Sequence, residues 1–203
     1  MATMNDHAMR EEAIVATALD LAEARGVGGV TTAGLARRLH FTEAALYRYF
    51  PGKGAIIASA LRNMAERMFA TMLLELMPEA LEHGHALGYQ MERHVQRFTL
   101  RGGLLLELLL VASGGREDVL QGAGADFLQG YTERMLAYFT QLRELHLIGP
   151  APSAPELTRL WICQLLGGFV RCRLTGEQWN PVEQTGFHAF IHQLTSTDSL
   201  AAS

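Results

Sequence analysis

The apolar side chains of this chain recur with the period of an α-helix almost throughout its length. Ile14, Ala18, Leu21 and Ala22, for example, fall on one helical face. No stretch of useful length alternates between apolar and polar residues, which is the pattern that a half-buried strand needs. The sequence therefore predicts an all-α fold, with short helices first and longer ones after them.

Glycine and proline clusters divide this pattern into segments. Asn5 or Asp6 is the predicted cap of the first helix, which residues 26–29 end. The predicted loops are Gly84–Gly88, Gly114–Gly124 and Gly149–Pro155. Pro51-Gly52 is a predicted turn, and the predicted longer helices run from residue 55 to near Pro78 and over Phe127–His146, Glu156–Leu174 and Val182–Leu194. Leu104–Ala112, apolar except for Glu107, is predicted to be a fully buried helix.

Composition narrows the class of protein. The net charge of -4 argues weakly against a nucleic-acid partner. Residues 37–53, however, hold four cations and one acid, Glu43, so the local charge is a better guide to the partner than the net charge. Two cysteines, Cys163 and Cys172, exclude a disulfide scaffold and a four-cysteine zinc site. Residues 1–10 lack the apolar region of a signal peptide, and no apolar run is long enough to span a bilayer. We therefore expect a cytoplasmic protein without a membrane partner.

Residues 32–49 form two short predicted helices, Ala33–Leu39 and Glu43–Tyr49, joined by a tight turn. Thr32 and Thr42 are their predicted caps. His40 falls where the turn requires a positive φ, which histidine adopts more readily than most residues. This is the helix-turn-helix pattern, in which the second helix enters the DNA major groove. A helical hairpin alone is weak evidence, because short helix pairs are common.

The outer face of this hairpin carries side chains suited to DNA. Threonine hydroxyls, aromatic hydroxyls and cations can contact phosphates. Glu43 can accept a hydrogen bond from cytosine N4, and an alanine methyl can touch the thymine methyl. The alternative for the two tyrosines is core packing, with one of them half-buried. The predicted DNA-binding residues are Thr32, Thr42, Glu43, Ala44, Ala45, Tyr47, Arg48, Tyr49 and Lys53.

One set of residues stands in a characteristic order and spacing: Arg10, Ile14, Ala18-Leu19, Gly26, Thr31-Thr32-Ala33-Gly34-Leu35-Ala36 and Thr42-Glu43-Ala44-Ala45-Leu46-Tyr47-Arg48-Tyr49-Phe50-Pro51-Gly52-Lys53. This set resembles the amino-terminal domain of TetR-family transcriptional repressors over about residues 10–60. The resemblance implies that Thr32, Tyr47, Tyr49 and Lys53 touch phosphates. Two residues depart from the family pattern: His40 replaces the usual turn glycine, and Gly54 replaces the usual acid after the lysine.

The resemblance also implies a DNA-binding domain of residues 1–54 and a ligand-binding and dimerisation domain of residues 55–203. The last two long helices would pair with those of a second subunit, and the homodimer would bind a palindromic operator in double-stranded DNA. The alternative is that the same apolar stripes form ordinary core. The predicted dimer residues are Leu157, Trp161, Leu165, Gly168, Cys172, Phe187, Phe190, Ile191 and Leu194.

The resemblance implies a small effector that releases the repressor from its operator, and the inward stripes of successive helices predict a largely apolar pocket for it. Three interpretations of Glu107 are open: it lies at an exposed edge, it pairs with Arg97 or Arg101, or it is buried in the pocket. The predicted lining residues are Met68, Met91, His94, Phe98, Glu107, Tyr131, Met135 and Trp161.

Two other classes of function remain. The string Glu43–Arg48 resembles the corresponding string of the family's nucleoid-occlusion factors. If the chain acts as they do, its second domain binds a protein partner and not a small ligand. An enzyme is not expected, because the chain shows no glycine-rich phosphate loop after a strand and no base paired with Ser113. His188 and His192 stand one helical turn apart but lack a flanking acid of the zincin type. We expect no catalytic residue, no cofactor and no metal.

Overall fold

The computed structural model describes residues 2–76, 85–114 and 117–195, and within these ranges the predicted all-α fold is confirmed, with no strand. In the described part of the chain, the 3₁₀ segments Val27–Gly29 and Arg97–Gly103 accompany the α-helices. The α-helices are α1 (Ala2–Arg25), α2 (Thr32–Leu39), α3 (Glu43–Leu46), α4 (Lys53–Glu75), α5 (His85–Gln96), α6 (Leu104–Gly114), α7 (Asp118–Glu144), α8 (Ala154–Thr175), α9 (Pro181–Gln184) and α10 (Phe187–Thr195).

The chain forms two compact units, and each draws on two separate stretches of sequence. The first unit consists of Met1–Glu66 and Leu104–Phe127, and it contains the helix-turn-helix. The second consists of Arg67–Gly103 and Leu128–Ser203. Of the helices in the described ranges, none combines the length and the apolarity that a bilayer crossing requires.

The first helix begins earlier than its predicted cap. α1 starts at Ala2, so Asn5 and Asp6 lie within the helix and do not cap it. Its apolar face is as predicted, with Ile14 and Ala18 buried. Gly26 ends it with φ at 74°, a left-handed value that glycine adopts without steric cost.

Two segments predicted as loops are largely helical. α5 already begins at His85, while Gly84 lies outside the described residues, as does Pro78 at the predicted end of α4. α7 begins at Asp118, so the predicted loop Gly114–Gly124 is wrong over its second half. Packing explains the tolerance of one glycine there: a Cβ on Gly124 would lie 2.9 Å from the Ala112 Cβ. The close packing that glycine permits at this point offsets the loss of helix stability, about 1 kcal/mol relative to alanine, that glycine causes.

α6 is less deeply buried than predicted. Leu104, Leu105, Leu106 and Leu108 are buried, but Val111 is 38% exposed and the helix continues to Gly114. Although α6 is apolar on nearly all sides, it is therefore only partly buried, and one side of it remains accessible to solvent.

The carboxy-terminal helices follow their sequence signals with one difference. Ser153 and Glu156 form a capping box at the start of α8, and these hydrogen bonds hold the pKa of the Glu156 carboxyl below its usual value. The predicted helix Val182–Leu194 is divided into α9 and α10. Thr185 and Gly186 separate them, because Gly186 takes a φ of 66° that a helix cannot contain.

Candidate nucleic-acid interface

Two threonine caps and one left-handed residue build the helix-turn-helix. Thr31 Oγ1 accepts the Gly34 N–H at 3.0 Å, and Thr42 Oγ1 accepts the Ala45 N–H at 3.1 Å. Between the two helices His40 has φ 56°, so the predicted positive-φ turn residue is confirmed. Leu46 is buried, as packing of the second helix onto the first requires. Each cap satisfies a backbone donor that the first turn of a helix leaves open.

Thr32 does not cap α2, contrary to the prediction. It is the first residue of the helix, and Thr31 is the cap. The two adjacent threonines are equivalent in the sequence pattern, so only the backbone geometry separates them. The Thr32 hydroxyl instead donates to Glu43 Oε2 at 2.8 Å, across eleven residues of sequence.

The second helix of the motif is shorter than predicted. α3 spans Glu43–Leu46, and residues 47–49 continue as turns. Glu43 and Ala44 are exposed at its tip, while Ala45 is half-buried. Glu43 is also the acid of the first turn, where a negative charge is favourable beside the helix N-terminus.

The two tyrosines after α3 have different surroundings. Tyr47 is 51% exposed. Tyr49 is half-buried, with its ring 4.8 Å from that of His7 and 6.3 Å from that of Phe41, measured between centroids. One of the pair is therefore half-buried, as the sequence allowed, and Tyr47 is the more accessible of the two.

Lys53 begins α4 and lies near the loop that follows α1. Its Nζ donates to the Gly28 carbonyl oxygen at 3.3 Å. An ammonium group has three hydrogens to donate, so this bond leaves capacity for a second acceptor. Arg48, Arg37 and Arg38 are exposed, and together with Lys53 they make this end of the first unit locally cationic.

Two glutamates distant in sequence support the helix-turn-helix unit, and sequence reasoning missed both roles. Glu107 of α6 is half-buried, and its Oε1 accepts the Val27 N–H at 2.9 Å. The carboxylate of Glu117 lies against Gly54 of α4, where a side-chain Cβ would stand. The glycine at position 54 was the only signal in the sequence that another group occupies this space.

Seven of the eight predicted pocket residues are buried within the second unit. Tyr131 is central among them: its hydroxyl lies 2.9 Å from His94 Nε2 and accepts the Trp161 Nε1–H at 2.8 Å. The Phe98 ring meets the Tyr131 ring edge-on. Met68, Met91 and Met135 are also buried in this unit. Glu107 is not part of this cluster, because it lies in the first unit and binds Val27.

The predicted dimer stripe consists of side chains that the chain buries within itself. All of its members are buried except Ile191, which is half-buried. These side chains therefore pack within their own chain, and their contact with a second subunit stays a prediction. The stripe is Leu157, Trp161, Leu165, Gly168, Cys172, Phe187, Phe190, Ile191 and Leu194.

Residues 14–60 match the family model described as bacterial regulatory proteins of the tetR family. This stretch contains the second half of α1, the 3₁₀ segment Val27–Gly29, α2, α3 and the start of α4. Over these residues the chain therefore resembles the TetR family of regulators, as its motifs predicted.

Known proteins resemble this chain over different lengths. The nucleoid occlusion factor SlmA of Marinobacter nauticus is 35% identical over 66 residues, and the match spans about a third of each chain. A transcriptional regulator from Saccharomonospora viridis, solved with choline, has a TM-score of 0.73 at 18% identity and covers 93% of this chain and 99% of its own. A TetR transcription regulator from Haloarcula marismortui has a TM-score of 0.73 at 14% identity, with 93% and 100% covered. The structural matches extend the likeness in fold to nearly the whole chain.

Proposed function

We propose that this protein is a dimeric, sequence-specific DNA-binding repressor that a small, largely apolar effector releases from a palindromic operator. The observation that supports DNA binding best is the helix-turn-helix with its cationic surroundings. α3 exposes Glu43 and Ala44 at its tip, and Arg48 and Lys53 follow within ten residues. Cations supply the affinity for phosphates, and the exposed tip supplies the contacts with bases.

Thr42 and Lys53 are the proposed phosphate contacts at the two ends of this surface. Thr42 Oγ1 uses a lone pair to accept the Ala45 N–H, so its own hydrogen remains available for a phosphate oxygen. Lys53 keeps two ammonium hydrogens beyond the one given to Gly28. Tyr47 and Arg48, both exposed, extend the contact, and Tyr49 offers its hydroxyl from a half-buried ring.

Replacing Lys53 by alanine is expected to weaken binding to every duplex alike. A lysine that neutralises one phosphate releases one counterion, so the slope of log K against log salt should fall in magnitude by about 1. The measurement is a gel-shift or fluorescence-anisotropy titration of a random-sequence duplex at several salt concentrations.

Arg62→Ala is the matched control for this series. Arg62 is an exposed cation on the same helix, outside the proposed DNA contacts, so its removal changes the net charge equally. We expect Arg62→Ala to retain the wild-type slope. A Lys53→Ala variant that binds with wild-type affinity at every salt concentration would contradict the phosphate assignment.

The outward face of α8 is the proposed dimer surface. Leu160, Cys163, Gly167 and Leu174 recur at three-, four- and seven-residue spacing and are all exposed, with Leu160 at 46% and Leu174 at 83%. Exposed leucines in line with a glycine favour the close approach of a second helix. A symmetric dimer presents the same face from both copies, and two helix-turn-helix units then read two half-sites.

Replacing Leu160 by glutamate is expected to convert the dimer into a monomer. The carboxylate of one copy would face the same apolar surface of the other, where an unpaired charge is costly. Sedimentation velocity measures the outcome. Leu145→Glu is the control, because Leu145 is 53% exposed and lies outside α8. A wild-type chain that sediments as a monomer at about 100 μM, far above a typical dimer dissociation constant, would refute the proposed dimer.

The buried cluster around Tyr131 supports the second unit as the place of the proposed effector. It combines the rings of Phe98, Tyr131 and Trp161 with the ring nitrogens of His94, which is the mixture of apolar walls and few polar groups that ligand sites use. A structural neighbour was solved with choline. The likeness to a nucleoid occlusion factor covers only about a third of each chain, and a protein partner for the second unit is the alternative.

A further inference from the structure

A hydrogen bond joins the first residues of the two helices in the helix-turn-helix. Thr32 begins α2, Glu43 begins α3, and the Thr32 Oγ1–H donates to Glu43 Oε2 at 2.8 Å. The family resemblance implies that Thr32 touches a phosphate, and the sequence alone assigns Glu43 to a base. Because the two side chains bind one another, their roles depend on each other.

The hydrogen of the Thr32 hydroxyl is already in use. A threonine hydroxyl has one hydrogen to donate, and a phosphate oxygen can only accept. The carboxylate that takes this hydrogen also places a negative charge next to the hydroxyl, which repels a phosphate. Thr42 is the opposite case, since its oxygen accepts from Ala45 and its hydrogen is left for another acceptor. The two threonines therefore differ in chemistry although the sequence treats them alike.

We propose that Thr32 and Glu43 act as a pair that determines base specificity, with Thr32 orienting the carboxylate and Glu43 accepting a hydrogen bond from the N4 amino group of cytosine. The proposal rests on the proposed DNA binding. Thr32 is a positioning residue in this pair. Since Thr32 occupies Oε2, Oε1 is the oxygen that is left for the base.

The edges of the bases explain the choice of cytosine. A carboxylate only accepts, and the major groove offers two amino donors, cytosine N4 and adenine N6. In adenine the N7 acceptor stands beside the amino group and repels a carboxylate. Guanine presents two acceptors and thymine one, so each of these leaves Glu43 desolvated beside another acceptor.

The hydrogen bond to Thr32 also makes an exposed glutamate precise enough to discriminate between bases. A free glutamate side chain loses rotamer entropy when it binds, which weakens its preference for one base. A carboxylate that is held before DNA arrives has less entropy to lose. Glu43 is the only acid within residues 37–53, so the surrounding cations supply uniform attraction and this carboxylate supplies the discrimination.

The test is selection of duplexes from a randomised library, followed by competition titrations on the enriched sequences. Wild-type protein should enrich cytosine at one position of each half-site, and Glu43→Gln should lose that preference. Thr32→Val should reduce the same preference by about fivefold or more, the lower limit for a good base contact. Its affinity for a random-sequence duplex and its salt slope should stay at the wild-type value. Thr32→Ser, which restores the hydroxyl, should recover the preference.

The outcomes separate the possible failures. If Thr32→Val weakens binding to all duplexes equally, with the salt slope unchanged because a neutral hydroxyl releases no counterion, Thr32 is a phosphate contact and the proposed pair is overturned. If Glu43→Gln leaves the base preference unchanged, the pair is overturned as well. A wild-type protein that neither binds a random duplex nor enriches any sequence overturns the proposed DNA binding itself, and the pair with it. Circular dichroism of each variant verifies that the helices are intact.

Discussion

Replacing Gly103 by alanine is expected to lower the free energy of unfolding by about 2–5 kcal/mol. Gly103 has φ 84°, which an alanine adopts only with strain. The new Cβ would also lie 2.8 Å from Phe169 Cε2 and 3.2 Å from Trp179 Cδ1. Neither ring can move easily, because they pack edge-to-face and the Trp179 Nε1–H donates to the Phe98 carbonyl. Thermal or urea denaturation measures the loss.

Gly122→Ala is the matched control for this substitution. Gly122 lies in α7, and a Cβ there meets nothing within 4 Å. Alanine is the better helix former by about 1 kcal/mol, so this variant should be as stable as the wild type or more stable. Equal stability of Gly103→Ala and wild type would show that the backbone at Gly103 can relax, and would contradict the strain argument.

Replacing Tyr131 by phenylalanine is expected to cost about 2–4 kcal/mol, although the ring is retained. The lost hydroxyl is the acceptor of the Trp161 indole N–H and a hydrogen-bond partner of His94, and all three side chains are fully buried. Water cannot replace the lost oxygen without opening the core. Burial raises the pKa of Tyr131, so the hydroxyl stays neutral throughout the accessible pH range.

Tyr138→Phe separates this effect from a general intolerance of core changes. Tyr138 stands two helical turns from Tyr131 on α7, and burial raises the pKa of its hydroxyl too. Its hydroxyl donates to Gln90 Oε1 over a long 3.4 Å, and the contact is only partly buried. The expected loss is below about 1 kcal/mol. Similar losses for the two variants would mean that the Trp161–Tyr131–His94 hydrogen bonds contribute no more stability than the long Tyr138–Gln90 hydrogen bond.

Local signals in the sequence predicted the helix-turn-helix closely. Thr42, His40 and Leu46 have the backbone or packing roles that their residue types suggest, because caps and turns are decided within a few residues. The same reasoning failed where two neighbours shared one residue type. Thr31 and Thr32 cannot be distinguished by pattern, and the true cap became visible only through the backbone.

Tertiary contacts account for the rest of what the sequence did not show. An apolar stripe indicates that a helix face is buried, but not whether its own chain or a second copy covers it. The stripe through Trp161 and Phe190 is core for this reason, and the proposed dimer face is the opposite side of α8. Glu107 was predicted among the pocket residues because it falls on an inward stripe of its helix. Its partner, Val27 N–H, lies eighty residues away, where no periodicity can indicate it.

The carboxylate of Glu117 beside Gly54 couples the side chains that these two positions can carry together. An acid at position 54 and an acid at position 117 would compete for the same small volume and repel each other. A mutation that adds a side chain at 54 is therefore tolerated best when position 117 has already become small or neutral. The order of the two mutations matters, and related chains should carry the acid at one of these positions and not at both.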